Sequence, residues 1–208
     1  MRVLVIGAAG RIGSNIVRMA LGHGHDVTAF VHDTPLGIAR ERLTMIVGDV
    51  RDFAAVNEAV AGKQAVAFVV AQGAGGDRSL HEDGIANVIH AMAANEVRRL
   101  AAVSAAGAFA RTDKKLSGKY RALIATTQRG TYNDLEAMEL RIMASDLDWT
   151  IVRPTGLSDD PPSGTYRISL DGSLLPRSSR ISRADVAAVV LKSLETDTYH
   201  RRAVVIAD

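Results

Sequence analysis

Seven residues constrain this chain more than any other stretch. Gly7-Ala8-Ala9-Gly10-Arg11-Ile12-Gly13 follows directly on the apolar run Val3–Ile6 and leads at once into a helical pattern of Ile12, Ile16, Val17, Ala20 and Leu21. A strand that turns into a helix through G-x-x-G-x-x-G is a variant of the dinucleotide fingerprint. Gly7 permits the tight turn, Gly10 lets the backbone approach a pyrophosphate, and Gly13 lets the helix pack close to the sheet. The helix start adds unpaired N–H groups and a partial positive charge, worth up to ~2 kcal/mol per anionic charge in favourable geometry. The turn therefore predicts a dinucleotide site. The sequence holds no G-x-x-x-x-G-K-[ST], so it is not a P-loop nucleotidase.

Behind this turn, short apolar runs alternate with helical patterns. Strands are expected at Val3–Ile6, Val27–Val31, Thr44–Val47, Ala65–Val70, Leu100–Val103, Thr150–Val152, Tyr166–Leu170 and Ala203–Ile206. Helices are expected after the turn, behind the N-cap candidate Asp52, over Ser79 to Asn95, over Tyr132 to Ser145, and from Ser182 to about Leu194. That alternation predicts an α/β fold: one Rossmann domain over residues 1–208, a doubly wound parallel sheet with helices on both faces and strands apolar on both sides. Residues 106–130 and 154–164 (PTGLSDDPPSG) break the rhythm. Loops of that length tend to be functional, and both leave strand C-termini, where open α/β sheets bind ligands.

Composition narrows the function classes. There is no cysteine, which excludes disulfides, thiolate metal sites and a cysteine nucleophile. A net charge of +2 and 4% aromatics argue against nucleic-acid binding. No apolar run approaches ~20 residues and no signal-peptide pattern opens the chain, so no membrane association and a cytoplasmic location are expected. Nothing in one chain fixes an oligomeric state. The dinucleotide's identity turns on Phe30-Val31-His32-Asp33 at the end of the second strand. A carboxylate there favours the 2′-hydroxyl of NAD and a cation the 2′-phosphate of NADP, so Asp33 points one way, His32 and Arg11 the other.

The segments VLVIGAAGRIGSNIV, Gly48-Asp49-Val50, AVAFVVAQGAGG, AAVSAAGAF, DWTIVRPTGLSDDPPSGTYRISLDG and ISRADVAAVVLKSLE cover most of the chain. Together they resemble the atypical short-chain dehydrogenase/reductase superfamily, and within it the NAD(P)H-dependent flavin reductase / biliverdin reductase B group. The resemblance implies that Gly7, Ala9, Gly10, Arg11, Ile12 and Gly13 hold the pyrophosphate and that Asp49 and Val50 touch the adenine. It implies that Ala71, Gln72 and Gly73 run beside the ribose and phosphates, and that Ser104 and Pro154-Thr155-Gly156 lie by the nicotinamide. The implied cofactor is NADP, with NAD as the alternative. His32 stands where NADP-binding members carry arginine. Being mostly neutral at pH 7, it forfeits most of a charge-assisted contact of ~1.5–3 kcal/mol, for which Arg11, Arg40 or Arg42 would have to compensate.

The candidate catalytic residues are Ser104 and Tyr132, and here the pattern departs from carbonyl-reducing relatives. Those use Tyr-x-x-x-Lys, whereas Tyr132 is followed by Glu136, and Tyr120 by Ile124. A carboxylate raises a tyrosine pKa, the wrong direction for a proton donor. Hydride transfer to a flavin such as FMN or FAD escapes the problem, because the ring delocalises the charge and solvent supplies the proton. Two other functions stay open: a non-catalytic dinucleotide sensor of the NmrA-like type, and a nucleotide-sugar epimerase or dehydratase.

Other constellations read more plainly. His23 and His25 flank Gly24 at a helix end with no partner ligand near, so no metal site is expected. Without a G-x-S-x-G elbow, Ser104 is no hydrolase serine; its hydroxyl either serves the site or ties down its strand end. Arg111, Lys114, Lys115, Lys119, Arg121 and Arg129 face Asp113 alone in the 106–130 stretch, which suggests either a solvated loop or a lid attracting an anionic acceptor. Phe109, Tyr120 and Tyr166 are candidates for a flat wall against a planar ring.

Overall fold

The computed structural model describes residues 1–38, 40–71, 79–109, 129–171, 173 and 180–208. Its strands are β1 (Arg2–Ile6), β2 (Asp26–Val31), β3 (Leu43–Val47), β4 (Ala65–Phe68), β5 (Arg99–Val103), β6 (Asp148–Pro154), β7 (Gly156–Ser158), β8 (Arg167–Ser169), β9 (Arg180–Ser182) and β10 (Arg202–Ala207). Its helices are α1 (Arg11–Gly22), α2 (Phe53–Val60), α3 (Leu80–Ala94), α4 (Arg129–Ala144) and α5 (Arg183–Glu195). The main sheet has the order β3-β2-β1-β4-β5-β6-β10-β8. The chain winds outward from β1 to β3, returns to β4, and winds the other way. The crevice at the reversal, between β1 and β4, is where such sheets bind ligands.

Strand periodicity explains both layers. Alternate side chains point to opposite faces. Val3 and Val5 of β1 join Ile16, Val17 and Ala20 of α1 and Val186, Val190 and Leu194 of α5. Leu4 and Ile6 join Val56 of α2, Ile85 and Met92 of α3 and Met138 and Ile142 of α4 on the other side. Two helices thus cover one face and three the other, as the apolar runs require.

Helix starts follow local chemistry. Asp52 caps α2 by accepting from the N–H groups of Ala54 (2.9 Å) and Ala55 (3.4 Å), and Ser182 caps α5 by accepting from Asp185 N–H at 3.0 Å. Ser79 makes no such side-chain cap for α3. Asp134 of α4 does that work from a distance, accepting from the N–H groups of His81 (3.0 Å) and Glu82 (2.8 Å). It also lies 2.7 Å from His81 Nδ1, and His81 Nε2 lies 3.2 Å from the Val70 carbonyl oxygen.

Four expectations are corrected. The sheet is not wholly parallel: β8 runs antiparallel to β10, because no crossover helix carries the chain back between β6 and β8, so it enters the edge from the other end. The strands are not all covered on both sides: β3 is an edge strand with Met45 and Val47 exposed. Residues 154–164 are not all loop, since β7 pairs in parallel with β9, each only three residues long. Finally, His23 and His25 do have a partner, Glu195 at the end of α5, 2.8 Å from each. Among the described residues no helix is long and apolar enough to cross a membrane.

Candidate functional site

The glycine turn opens a cleft of about 510 Å³ at the C-terminal ends of β1, β2, β3 and β4. Gly7, Ala9 and Gly10 line one side, His32 and Asp33 the next, Asp49, Val50 and Arg51 the third, and Val70 and Ala71 the last. Gly7 sits at φ +84°, and a Cβ there would lie 2.6 Å from the Val69 carbonyl oxygen. A Cβ on Gly13 would overlap the Gly7 carbonyl oxygen. The turn is therefore sealed against side chains from beneath, and it presents bare backbone above at the start of α1. Ile12 packs its side chain on the core beside α1, leaving only its backbone for a ligand. Arg11 faces away from the cleft lining: its Nη1 donates to Asp159 at 2.5 Å, and Arg183 donates to the other oxygen of Asp159 at 2.7 Å.

Charge on the β2–β3 side of the cleft is organised by a residue the sequence reading passed over. Arg51 donates through Nε (3.1 Å) and Nη2 (2.7 Å) to the two oxygens of Asp49, and its backbone N–H adds a third bond at 2.9 Å. The guanidinium and then the backbone N–H hold the Asp49 carboxyl down at about 2; burial opposes them weakly, and His32 assists. His32 Nε2 stands 3.9 Å from Asp49 and its Nδ1 3.6 Å from Asp33. Two of the proposed substitutes for a position-32 arginine point elsewhere. Arg42 donates to the Gly24 carbonyl beyond the far end of α1, and Arg40 lines a separate surface hollow with Gly37 and Ile38. Arg51 was legible only as a cation two places after Asp49.

The residues expected beside a nicotinamide lie where β5 and β6 finish. Ser104 N–H donates to the Val152 carbonyl at 2.9 Å and Ala106 N–H to the Pro154 carbonyl at 2.9 Å. Thr155 is tied to Ile206, and Gly156 opens β7. The backbone, not the hydroxyl, thus secures the strand end: Ser104 Oγ is buried with no hydrogen-bond partner among the described residues. Tyr132 lies against the same segment, its ring Cζ and hydroxyl 2.8 and 2.9 Å from where a Gly107 Cβ would stand.

Beneath this end sits a pair the sequence reading missed. Arg153 Nε donates to Glu139 at 3.0 and 3.1 Å with both residues buried, and the guanidinium rests 4.8 Å from the Phe109 ring centroid. An arginine inside the apolar strand DWTIVRP was itself a signal, since a buried arginine demands a partner. The other aromatics divide. Tyr166 packs on the core face of α1 and α5, where burial and then Asp185 push its hydroxyl pKa up. Tyr120, the cations from Arg111 to Arg121, Gln72 and Gly73 lie outside the described residues. Asp185 anchors the 154–164 loop by accepting from Ser163 and Gly164 N–H. Burial raises that carboxyl, but these bonds and the one from Ser182 outweigh it and leave it lowered.

A bare-backbone turn at a helix start, a carboxylate–arginine pair at one end and an orphaned buried hydroxyl at the other fit an extended dinucleotide. Topology and cleft together define a dinucleotide-binding Rossmann protein. Residues 7–197 match the NAD(P)H-binding family, and the chain belongs to that family. A Bacillus subtilis relative, described as an uncharacterized sugar epimerase, is 32% identical over 98% of this chain and 92% of its own. The same fold occurs in a short-chain dehydrogenase/reductase of Veillonella parvula solved with NADP, at TM-score 0.84 and 20% identity over 100% of this chain and 94% of that one. It occurs also in ChuY, an anaerobillin reductase of Escherichia coli O157:H7, at TM-score 0.81 and 20% identity over 100% and 97%.

Proposed function

We propose that this chain is an NAD(P)H-dependent reductase that delivers hydride to a planar acceptor, with a flavin as the acceptor class. The observation that carries the proposal is the surroundings of Tyr132: its hydroxyl is set against Gly107, and the residue four places on is Glu136. The sequence thus lacks the lysine of Tyr-x-x-x-Lys behind Tyr132, which disfavours ketone and sugar chemistry and favours an acceptor that takes its proton from water. The name of the Bacillus relative favours an epimerase, but that chemistry meets the same missing lysine. The ChuY neighbour, named as a reductase, favours the reading given.

In this assignment the turn from Gly7 to Gly13 holds the pyrophosphate, Asp49 and Val50 the adenine, Ala71 the ribose side, and Ser104 with Pro154-Thr155-Gly156 the nicotinamide. When bound, the cofactor supplies the hydride. The chain's residues hold donor and acceptor face to face, and the acceptor's proton comes from solvent. Arg51 provides the cation that His32 does not, favouring NADP.

The test mixes purified protein with NADPH or NADH and with FMN, FAD or riboflavin, and follows the nicotinamide absorbance. Oxidation above the free-solution background supports the reductase. Tight dinucleotide binding without oxidation by any acceptor overturns it in favour of a sensor. Arg51→Ala should weaken NADPH about 10- to 100-fold, the equivalent of one charge-assisted hydrogen bond, and NADH far less.

A further inference from the structure

At the opposite end of α1 from the glycine turn, three donor atoms converge. Gly24, at φ +79°, reverses the chain after the helix, with Gly24 N–H donating to Leu21 and His25 N–H to Ala20. The reversal turns both flanking imidazoles toward α5. There Glu195 Oε1 lies 2.8 Å from His23 Nδ1 and 2.8 Å from His25 Nε2, and the ligand atoms of all three residues fall within 4.8 Å of one another. The helices that carry them pack directly through Ile16, Val17 and Ala20 against Val190, Leu191 and Leu194, so a rigid core sets the spacing.

We propose that His23, His25 and Glu195 form a binding site for one divalent transition cation of the Zn²⁺ class. Two imidazoles and one carboxylate are a recognised zinc donor set with a fourth position left for water. Tetrahedral bonds of 2.0–2.1 Å place donors about 3.3 Å apart, so to admit the ion the two short contacts open by about half an ångström while the two imidazole nitrogens, within 4.8 Å of each other, settle to the same spacing. Glu195 arrives as a carboxylate: burial raises its pKa, but hydrogen bonds from His23 and His25 more than offset this and leave it lowered. His25 is the better-buried imidazole and His23 the exposed one, which leaves the open position toward solvent. Imidazole donors select Zn²⁺, Ni²⁺, Cu²⁺ or Co²⁺ over Mg²⁺. Because α1 is about 18 Å long at 1.5 Å per residue, the ion touches no reacting atom; it fastens α1 to α5.

The test uses the untagged full chain stripped with EDTA. Co²⁺ titration should give visible d–d absorption saturating at one equivalent, and Zn²⁺ should displace it. Zn²⁺ at a hundredfold excess over its Kd should raise the Tm by about 5–10 °C, with Mg²⁺ inert. His23→Ala, at an exposed position, should weaken Co²⁺ at least about tenfold, Glu195→Gln should do the same, and NADPH affinity should stay unchanged in both. Absence of saturable Co²⁺ or Zn²⁺ binding overturns the proposal, as does equal affinity in both variants; the three residues are then a hydrogen-bonded clasp only.

Discussion

The glycine turn and the far ends of β5 and β6 are made of different material. The turn is backbone: Gly7 and Gly13 are packed so closely on Val69 and on each other that a Cβ at either would overlap main chain. The β5–β6 end is side chain: Arg153, Glu139, Phe109, Tyr132 and the orphaned Ser104 hydroxyl. A backbone surface suits what every dinucleotide shares, its pyrophosphate, and at Gly7 and Gly13 leaves no room for a side chain. A side-chain surface stands on buried charge and can be retuned one residue at a time, which is how one fold serves many acceptors.

The contrast can be broken most forcefully at Glu139. Glu139→Ala leaves the Arg153 guanidinium buried and alone, so we expect a loss of about 3–5 kcal/mol and a Tm lower by about 6–20 °C. Replacing both partners, Glu139→Met with Arg153→Leu, should restore most of it. If the single change is as mild as the double, the β5–β6 end does not rest on that pair. Gly7→Ala forces a left-handed φ and a backbone overlap, costing about 1–3 kcal/mol. Its sharper signature is an NADPH Kd raised more than about tenfold in fluorescence titration. Ser104→Ala should act in the other direction: apo stability stays level or rises by up to about 1 kcal/mol, since no bond is lost, while kcat/KM for a flavin falls. A stability loss would mean the hydroxyl is already satisfied. The smallest effect is expected in acid. The Asp49 carboxyl sits at about 2 in the fold against an ordinary 3.8. Its contribution to stability is therefore complete above about pH 4 and is lost as pH falls toward 2; Asp49→Asn should flatten that window in acid unfolding curves.

Much of this was legible in the sequence, and unevenly so. The glycine turn, the alternation of strand and helix, Asp52 as a cap and the Ser182 start of α5 follow from local spacing. The grouping of Gly7, Ala9, Gly10, His32, Asp49, Val50 and Ala71 in one cleft accords with the family resemblance and does not follow from spacing alone. What escaped was non-local or too short. Three-residue strands such as β7 and β9 show no period. Glu195 meets His23 across 172 positions and Arg99 ion-pairs with Asp197 across 98, and no single sequence announces such pairings. Arg153 was visible as an anomaly, but its partner Glu139 looked like any helix-surface acid.

The capping of α3 carries a kinetic consequence. The helix whose start flanks the cleft is completed by Asp134, 53 residues ahead of His81 in the chain. Its two leading N–H groups gain this partner only when α4 has docked, so the rim beside Val70 and Ala71 should be among the last parts of the molecule to assemble. Asp134→Asn, with its altered hold on both N–H groups and on His81, should therefore speed unfolding more than it slows folding. A dinucleotide arriving during refolding would find the glycine turn ready before the opposite wall.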